Sequence, residues 1–167
     1  MSEQPAGNAP MRPVTVSARI PASPRDVFAY VSDSRNDPEW CPNVEWVELI
    51  EGDGVVVGTR FRFHQHLDRP RGKRLQFDVD LEVVSIHDLT IRWTAVDRFQ
   101  TRDIEMTVVP DGLHSRVTQV TTATFRHPPG IAARMLYPRL ARRTLAGQFR
   151  LLARRFDTPG RPSVSES

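Results

Sequence analysis

From Val14 to Ile20 apolar and polar residues alternate strictly, the period of a strand with one buried face. Pro21 and Ala22 break the pattern. Ser23, Pro24 and Asp26 then offer a cap residue, a proline for the first helical position and an acid in the first turn. Val27, Phe28 and Val31 give the short helix that follows its apolar face. A second helical turn is expected over 36–40, closed by Pro42. Strands are expected at 44–51, 59–67, 74–86, 89–95, 99–109 and 113–125. Turn residues separate them, Gly52-Asp53-Gly54 and Pro110-Asp111-Gly112 among them. In the long run 74–86, Leu75, Phe77, Val79, Leu81 and Val83 share one face, with Gln76, Asp78, Asp80 and Glu82 on the other. One apolar face per strand means an antiparallel sheet that is wet on one side. The period then changes. Leu145, Phe149, Leu152 and Phe156 recur at helical spacing, which predicts an amphipathic helix over 138–156. Pro138 fits its first turn, and 130–137 reads as a separate turn kinked against it.

A chain of 167 residues is the size of one domain and can bury a core without metal or disulfide. The single cysteine, Cys41, excludes an internal disulfide framework and any multi-cysteine zinc site. No apolar run is long enough for a membrane-spanning helix, and the first 13 residues lack the apolar core of a secretory signal. A soluble cytoplasmic protein is expected. Residues 1–12 and 158–167 read as flexible tails around one domain at 13–157. The net charge of +3 is unevenly placed: residues 1–130 carry 15 basic and 18 acidic groups, whereas 131–156 carry seven arginines and no acid. That segment reads first as a solvated helix face, with a nucleic-acid or an acidic-membrane surface as the alternatives. Nucleic acid is not expected, because the rest of the domain is net negative and no aromatic residues interleave with the arginines.

The order of elements resembles the START-like, or SRPBCC, helix-grip superfamily, and more narrowly its polyketide cyclase/dehydrase and lipid-transport family. Three segments carry the resemblance: Ile20-Pro21-Ala22-Ser23-Pro24-Arg25-Asp26-Val27-Phe28, Ser34-Arg35-Asn36-Asp37-Pro38-Glu39-Trp40-Cys41-Pro42, and Val57-Gly58-Thr59-Arg60-Phe61. It implies an α+β fold: a curved seven-stranded antiparallel sheet wrapped on a long C-terminal helix, with two short helices after the first strand. It also implies a deep apolar cavity between sheet and helix. It does not imply one function, since members bind or carry lipids, hormones or quinones, or cyclise polyketides. No cofactor is implied.

Strand alternation nominates the cavity wall. Phe61 and Phe63 share a face with Gln65. Phe77 lies with Val79 and Leu81, Trp93 with Ile91, and Gln119 with Thr121. Trp40 joins them from the second short helix, Leu145 and Phe149 from the long one. The aliphatic positions are equally well explained as plain core. Gln65 and Gln119 are harder to dismiss, because a buried amide without a partner costs about 1–3 kcal/mol. They pair with each other, with backbone, or with a ligand. Arg142 falls near Leu145 on the wheel, either snorkelling to the rim or meeting a ligand's acidic oxygen. Tyr30, beside Val27 and Val31, is a weaker candidate, as a ligand contact or a packing residue.

His64 and His66 point outward, with no acid or cysteine at ligand spacing in the sequence, so no metal is expected. Cys41 reads as a small packing residue, and Asp33, Asp37 and Asp103 as caps or turn residues. No nucleophile elbow, phosphate loop or zinc-protease motif is present. The expected function is binding or carriage of a hydrophobic or amphipathic small molecule, lipid- or polyketide-like. The alternative is a polyketide cyclase, aromatase or dehydratase using the same cavity. The lack of an evident inward histidine or carboxylate favours carriage slightly. A protein-interaction module is a third reading, and homodimerisation stays open.

Overall fold

The computed structural model describes residues 9–68, 70–127 and 129–157. β1 (Val14–Ile20) leads into α1 (Pro24–Ser32) and a 3-10 segment at Ser34–Glu39. Six strands follow: β2 (Val44–Glu51), β3 (Arg60–Asp68), β4 (Arg74–His87), β5 (Thr90–Val96), β6 (Gln100–Asp111) and β7 (His114–Phe125). A 3-10 turn at Pro70–Gly72 lies between β3 and β4, and α2 (Ile131–Asp157) ends the described chain.

The strands form one sheet in the order β1-β7-β6-β5-β4-β3-β2, every pair antiparallel. Consecutive hairpins build six of the strands, and β1 closes on β7 because α1 and the 3-10 segment carry the chain to the opposite edge. Register shifts at Val44/Trp46, Leu49/Glu51 and Val83/Ser85 bend and twist the sheet as β-bulges do. The bulge after Val83 explains why the alternation of β4 lapses before Ile86. Gly52, with φ +91°, is required between β2 and β3: a Cβ there would lie 2.6 Å from the Thr59 hydroxyl.

The local starts follow the sequence chemistry. Ser23 caps α1, its hydroxyl accepting from the Asp26 N–H and donating to the Asp26 carboxylate, with Pro24 in the first turn. Asp33 caps the 3-10 segment by accepting from the Arg35 N–H, while the Arg35 guanidinium grips the same carboxylate at 2.8 Å. The concave face of the sheet buries Phe61, Phe63, Val79, Leu81, Val83, Ile91, Trp93, Met106, Val108 and Val117 against α1, the 3-10 segment and the last turns of α2, where Phe149 and Leu152 are buried.

Two expectations are corrected. The C-terminal helix does not start at Pro138. It runs unbroken from Ile131 with Pro138 inside it. Proline there removes the hydrogen bond to the Arg134 carbonyl, but Arg134 is exposed, so water can take that acceptor. At the other end, Met11, assigned to the N-terminal tail, is buried, and its N–H donates to the Ala123 carbonyl at 2.7 Å. The remaining tail expectations, 1–8 and 158–167, lie outside the described residues. Among the described residues no helix is long and apolar enough to cross a membrane.

Candidate functional site

Sheet, 3-10 segment and α2 bound a partly open interior space of about 110 Å³. Trp40, Phe63, Gln65, Trp93 and Gln119 line it, together with Asp37, Asn43, Arg102 and Gln148. The wall is apolar in larger part, with polar side chains set into it. Drug-sized ligand pockets run to roughly 300–1,000 Å³, so this space takes a small head group or one end of a longer molecule.

Its polar groups are arranged in two states. Some are satisfied by one another. The Gln148 side chain on α2 donates to Asn43 Oδ1 at 2.8 Å, Asn43 reaches Gln65 Oε1 at 3.5 Å, and Gln119 donates to the Thr121 hydroxyl at 3.0 Å. The two inward amides therefore pair with separate neighbours, not with each other. The others are unmet. Ser34 Oγ, Asp37 Oδ1, Trp40 Nε1, Trp93 Nε1 and Arg102 Nε are sealed from solvent with no hydrogen-bond partner among the described residues. All five residues line the same space. An unmet buried polar group costs about 1–3 kcal/mol, and five around one space form a concentrated demand for a partner.

Two of these residues carry unusual acid–base properties. Burial, reinforced by the charge of Asp33, pushes the Asp37 carboxyl well above the ordinary carboxylate range, and the nearby Trp40 indole offsets this only in part. Burial also lowers the Arg102 pKa, with Asp97 and Tyr137 opposing it; a guanidinium stays charged in proteins. Asp97, 1% exposed, lies 3.7 Å from it and is held by the N–H groups of Phe99 and Gln100. Ala95 and Ala123 flank Arg102 on the adjoining strands, both buried. Small neighbours leave room for the long side chain on the inner face. Desolvation by burial likewise raises the Cys41 thiol well above its usual pKa, with Asp37 adding to it, which leaves it unreactive.

The other nominated residues lie elsewhere. Phe61 and Phe149 are packed into the core, Phe149 against Trp40 at 6.2 Å between rings. Phe77 is half-buried and meets Phe99 edge-on, Leu145 is half-buried, and Thr121 is buried as the partner of Gln119. Tyr30 donates to Glu39 at 2.6 Å, and Glu39 pairs with Arg155. It thus ties α1 to the 3-10 segment and the end of α2.

Arg142 is corrected: it is exposed and lines a surface groove with Met11, Arg12 and Met135. The inward stripe of α2 passes through Tyr137, Ala141, Leu145, Gln148 and Leu152, and Arg142 follows Ala141 by about a quarter turn. The arginine at the interior space is Arg102. A second correction concerns charge. The reading of no inward carboxylate is overturned by Asp37, and acids do adjoin the outward histidines. His64 Nδ1 lies 2.7 Å from Asp78 and His66 Nδ1 3.3 Å from Glu45, with Trp46 stacked on His64 at 3.4 Å. Among the described residues no cluster of three or more His, Cys, Asp or Glu could hold a metal ion.

Solved structures share this architecture at low identity. A START superfamily protein from Mycobacterium smegmatis aligns over 87% of this chain and 97% of its own at 18% identity, with a TM-score of 0.68. TTHA0849 from Thermus thermophilus aligns over the same shares at 21% identity, with a TM-score of 0.66. Major latex-like protein 151 from Panax ginseng does so at 16% identity, with a TM-score of 0.64. At these identities the likeness establishes the fold. No curated protein matches the sequence. The sequence profile of the polyketide cyclase / dehydrase and lipid transport family matches residues 11–157, and the chain belongs to that family.

Proposed function

We propose that the protein binds a small amphipathic molecule whose polar end enters the space between the sheet and α2, with an apolar body packed against Phe63, Leu81 and Trp93. The observation that carries this reading is the gathering of Trp93 Nε1 and Arg102 Nε, both unmet, and of the Trp40 indole beside Asp37 around one space. Three N–H groups, one of them the cation's own, call for an oxygen that accepts hydrogen bonds: a carbonyl, an enolate or a carboxylate. Asp37, when it holds its proton, does not repel such an oxygen and can donate to it. This is the pattern of a ligand pocket, apolar walls with a few placed polar groups.

Carriage and cyclisation diverge at Asp37. A buried carboxyl whose pKa is raised well above the ordinary carboxylate range is a candidate for proton transfer. Beside a fixed guanidinium that stabilises developing oxyanion charge, it could serve carbon–carbon bond formation on a poly-β-ketone, where one carbonyl is enolised and another accepts the new bond. That combination is the specific support for the cyclase reading.

Native mass spectrometry of protein purified from its own host would identify a retained compound, which is then titrated by calorimetry. Arg102→Met is expected to weaken binding by about 1.5–3 kcal/mol, the range for a hydrogen bond to a charged group. Undiminished binding would remove the interior site. Asp37→Asn separates the two readings. A carrier keeps both binding and release, whereas a cyclase keeps binding and loses turnover of a poly-β-ketone thioester.

A further inference from the structure

We infer that the first half of α2 is a docking surface for an anionic lipid bilayer. The helix is unlike an ordinary solvated one in what it exposes. Ile131, Met135, Leu136 and Leu140 are 81%, 65%, 51% and 60% exposed within ten residues of the helix start. A helix face of this kind normally carries polar residues toward water. At about 100° per residue, Ile131 and Met135 share one side and Leu136 and Leu140 another, and Arg139 and Arg143 run between them. Apolar tips therefore alternate around a cationic ridge, the pattern of a helix lying in the interface plane with its guanidinium groups at headgroup level.

The charge supports the same occupant. Arg134, Arg139, Arg142 and Arg143 take no part in the ion pairs of the described residues. Arg12 joins Arg134, Arg139 and Arg142 along a groove of about 560 Å³ beside Met135. Residues 131–156 hold no acid, whereas residues 1–130 are net negative. A molecule polarised in this way approaches a negative surface with α2 foremost. A second copy of the chain fits less well, because a two-fold contact would set this cationic ridge against itself. Nucleic acid fits less well too: exposed leucines have no role against phosphates, and among the described residues no exposed aromatic side chain is present on this face to stack on bases. The surface is separate from the interior space, so its test does not depend on the ligand.

Vesicle flotation tests it, using phosphatidylcholine with and without phosphatidylglycerol. Wild type is expected to float only with the anionic vesicles, and less as salt rises. Replacing Arg139, Arg142 and Arg143 by Gln together is expected to cut partitioning on the order of a hundredfold, at roughly tenfold or less per arginine near a charged bilayer. Leu136→Ser with Leu140→Ser is expected to lose binding at physiological salt, where charge alone is screened. Leu113→Ser, 95% exposed in the β6–β7 turn, serves as the control that changes nothing. All these positions are exposed, and an unchanged thermal melt shows that the variants fold. Equal flotation with both vesicles, or none with either, overturns the proposal. So does a dimer in sedimentation that Leu136→Ser dissociates, or duplex DNA binding that the leucine changes leave intact.

Discussion

Asp37 departs far from its ordinary chemistry, and its protonation has a consequence for stability. Its carboxyl keeps its proton in the folded protein at pH values where the unfolded chain, titrating near 3.8, has lost it. The folded form then binds more protons than the unfolded one, so stability falls as pH rises from about 4 toward the raised folded value. Asp33 acts the other way: Arg35 lowers its pKa, and its contribution is lost as pH falls below the same 3.8. The two effects occupy different windows. Asp37→Asn is therefore expected to flatten the decline of melting temperature above pH 4 relative to wild type. Parallel wild-type and variant curves there would mean that Asp37 is solvated and ionised. These residues differ in how far the sequence could disclose them. Arg102 alternates in step with Ile104, Met106 and Val108, so the period of β6 already placed it inward. Gln148 falls three residues after Leu145 and four before Leu152, on the apolar stripe itself. Asp37 gave no such signal, because a six-residue 3-10 turn has no period long enough to assign a face.

At the level of elements, α2 and the β2 edge are joined by an amide pair. Gln148 Nε2 donates to Asn43 Oδ1 at 2.8 Å, both at the interior space. Gln148→Leu leaves the Asn43 acceptor unmet, and denaturant titration is expected to show a loss of about 1–3 kcal/mol. Adding Asn43→Leu should recover part of that loss, because it removes the unmet Asn43 acceptor, while Gln65 Oε1 gives up its 3.5 Å contact with Asn43. A double variant as damaged as the two singles added together would show that the amides act independently. The strands followed from alternation because each has one wet and one dry face, which the period of two reports directly. The start of α2 did not follow. Proline reads as a helix boundary, and the exposed residues 131–136 have no buried stripe to extend the helical period upstream of it.

The whole molecule holds a polar-lined interior inside a sheet that is otherwise well packed, and two hydroxyls distinguish hydrated space from dry core. Ser34 Oγ and Thr59 Oγ1 are both buried, each residue 1% exposed, and both lack a partner among the described residues. Ser34 lines the interior space; Thr59 is not part of its lining. A space of about 110 Å³ with several polar groups on its wall is large enough to admit water, and that water can bond Ser34. Thr59 instead lies against Gly52 in the β2–β3 connection. Thr59→Val keeps the shape and removes an unmet group, so a gain on the order of 1 kcal/mol is expected. In a protein of this size that raises the melting temperature by roughly 2–4 °C. Ser34→Ala deletes a bond to water along with the hydroxyl, so its melting temperature is expected to stay level or fall. Calorimetric melts of the two ligand-free variants decide the matter. An equal rise in both would mean a dry interior, and a ligand's polar end would then have no water to displace. A rise confined to Thr59→Val leaves a hydrated chamber, where an entering oxygen exchanges with water already held at the same donors.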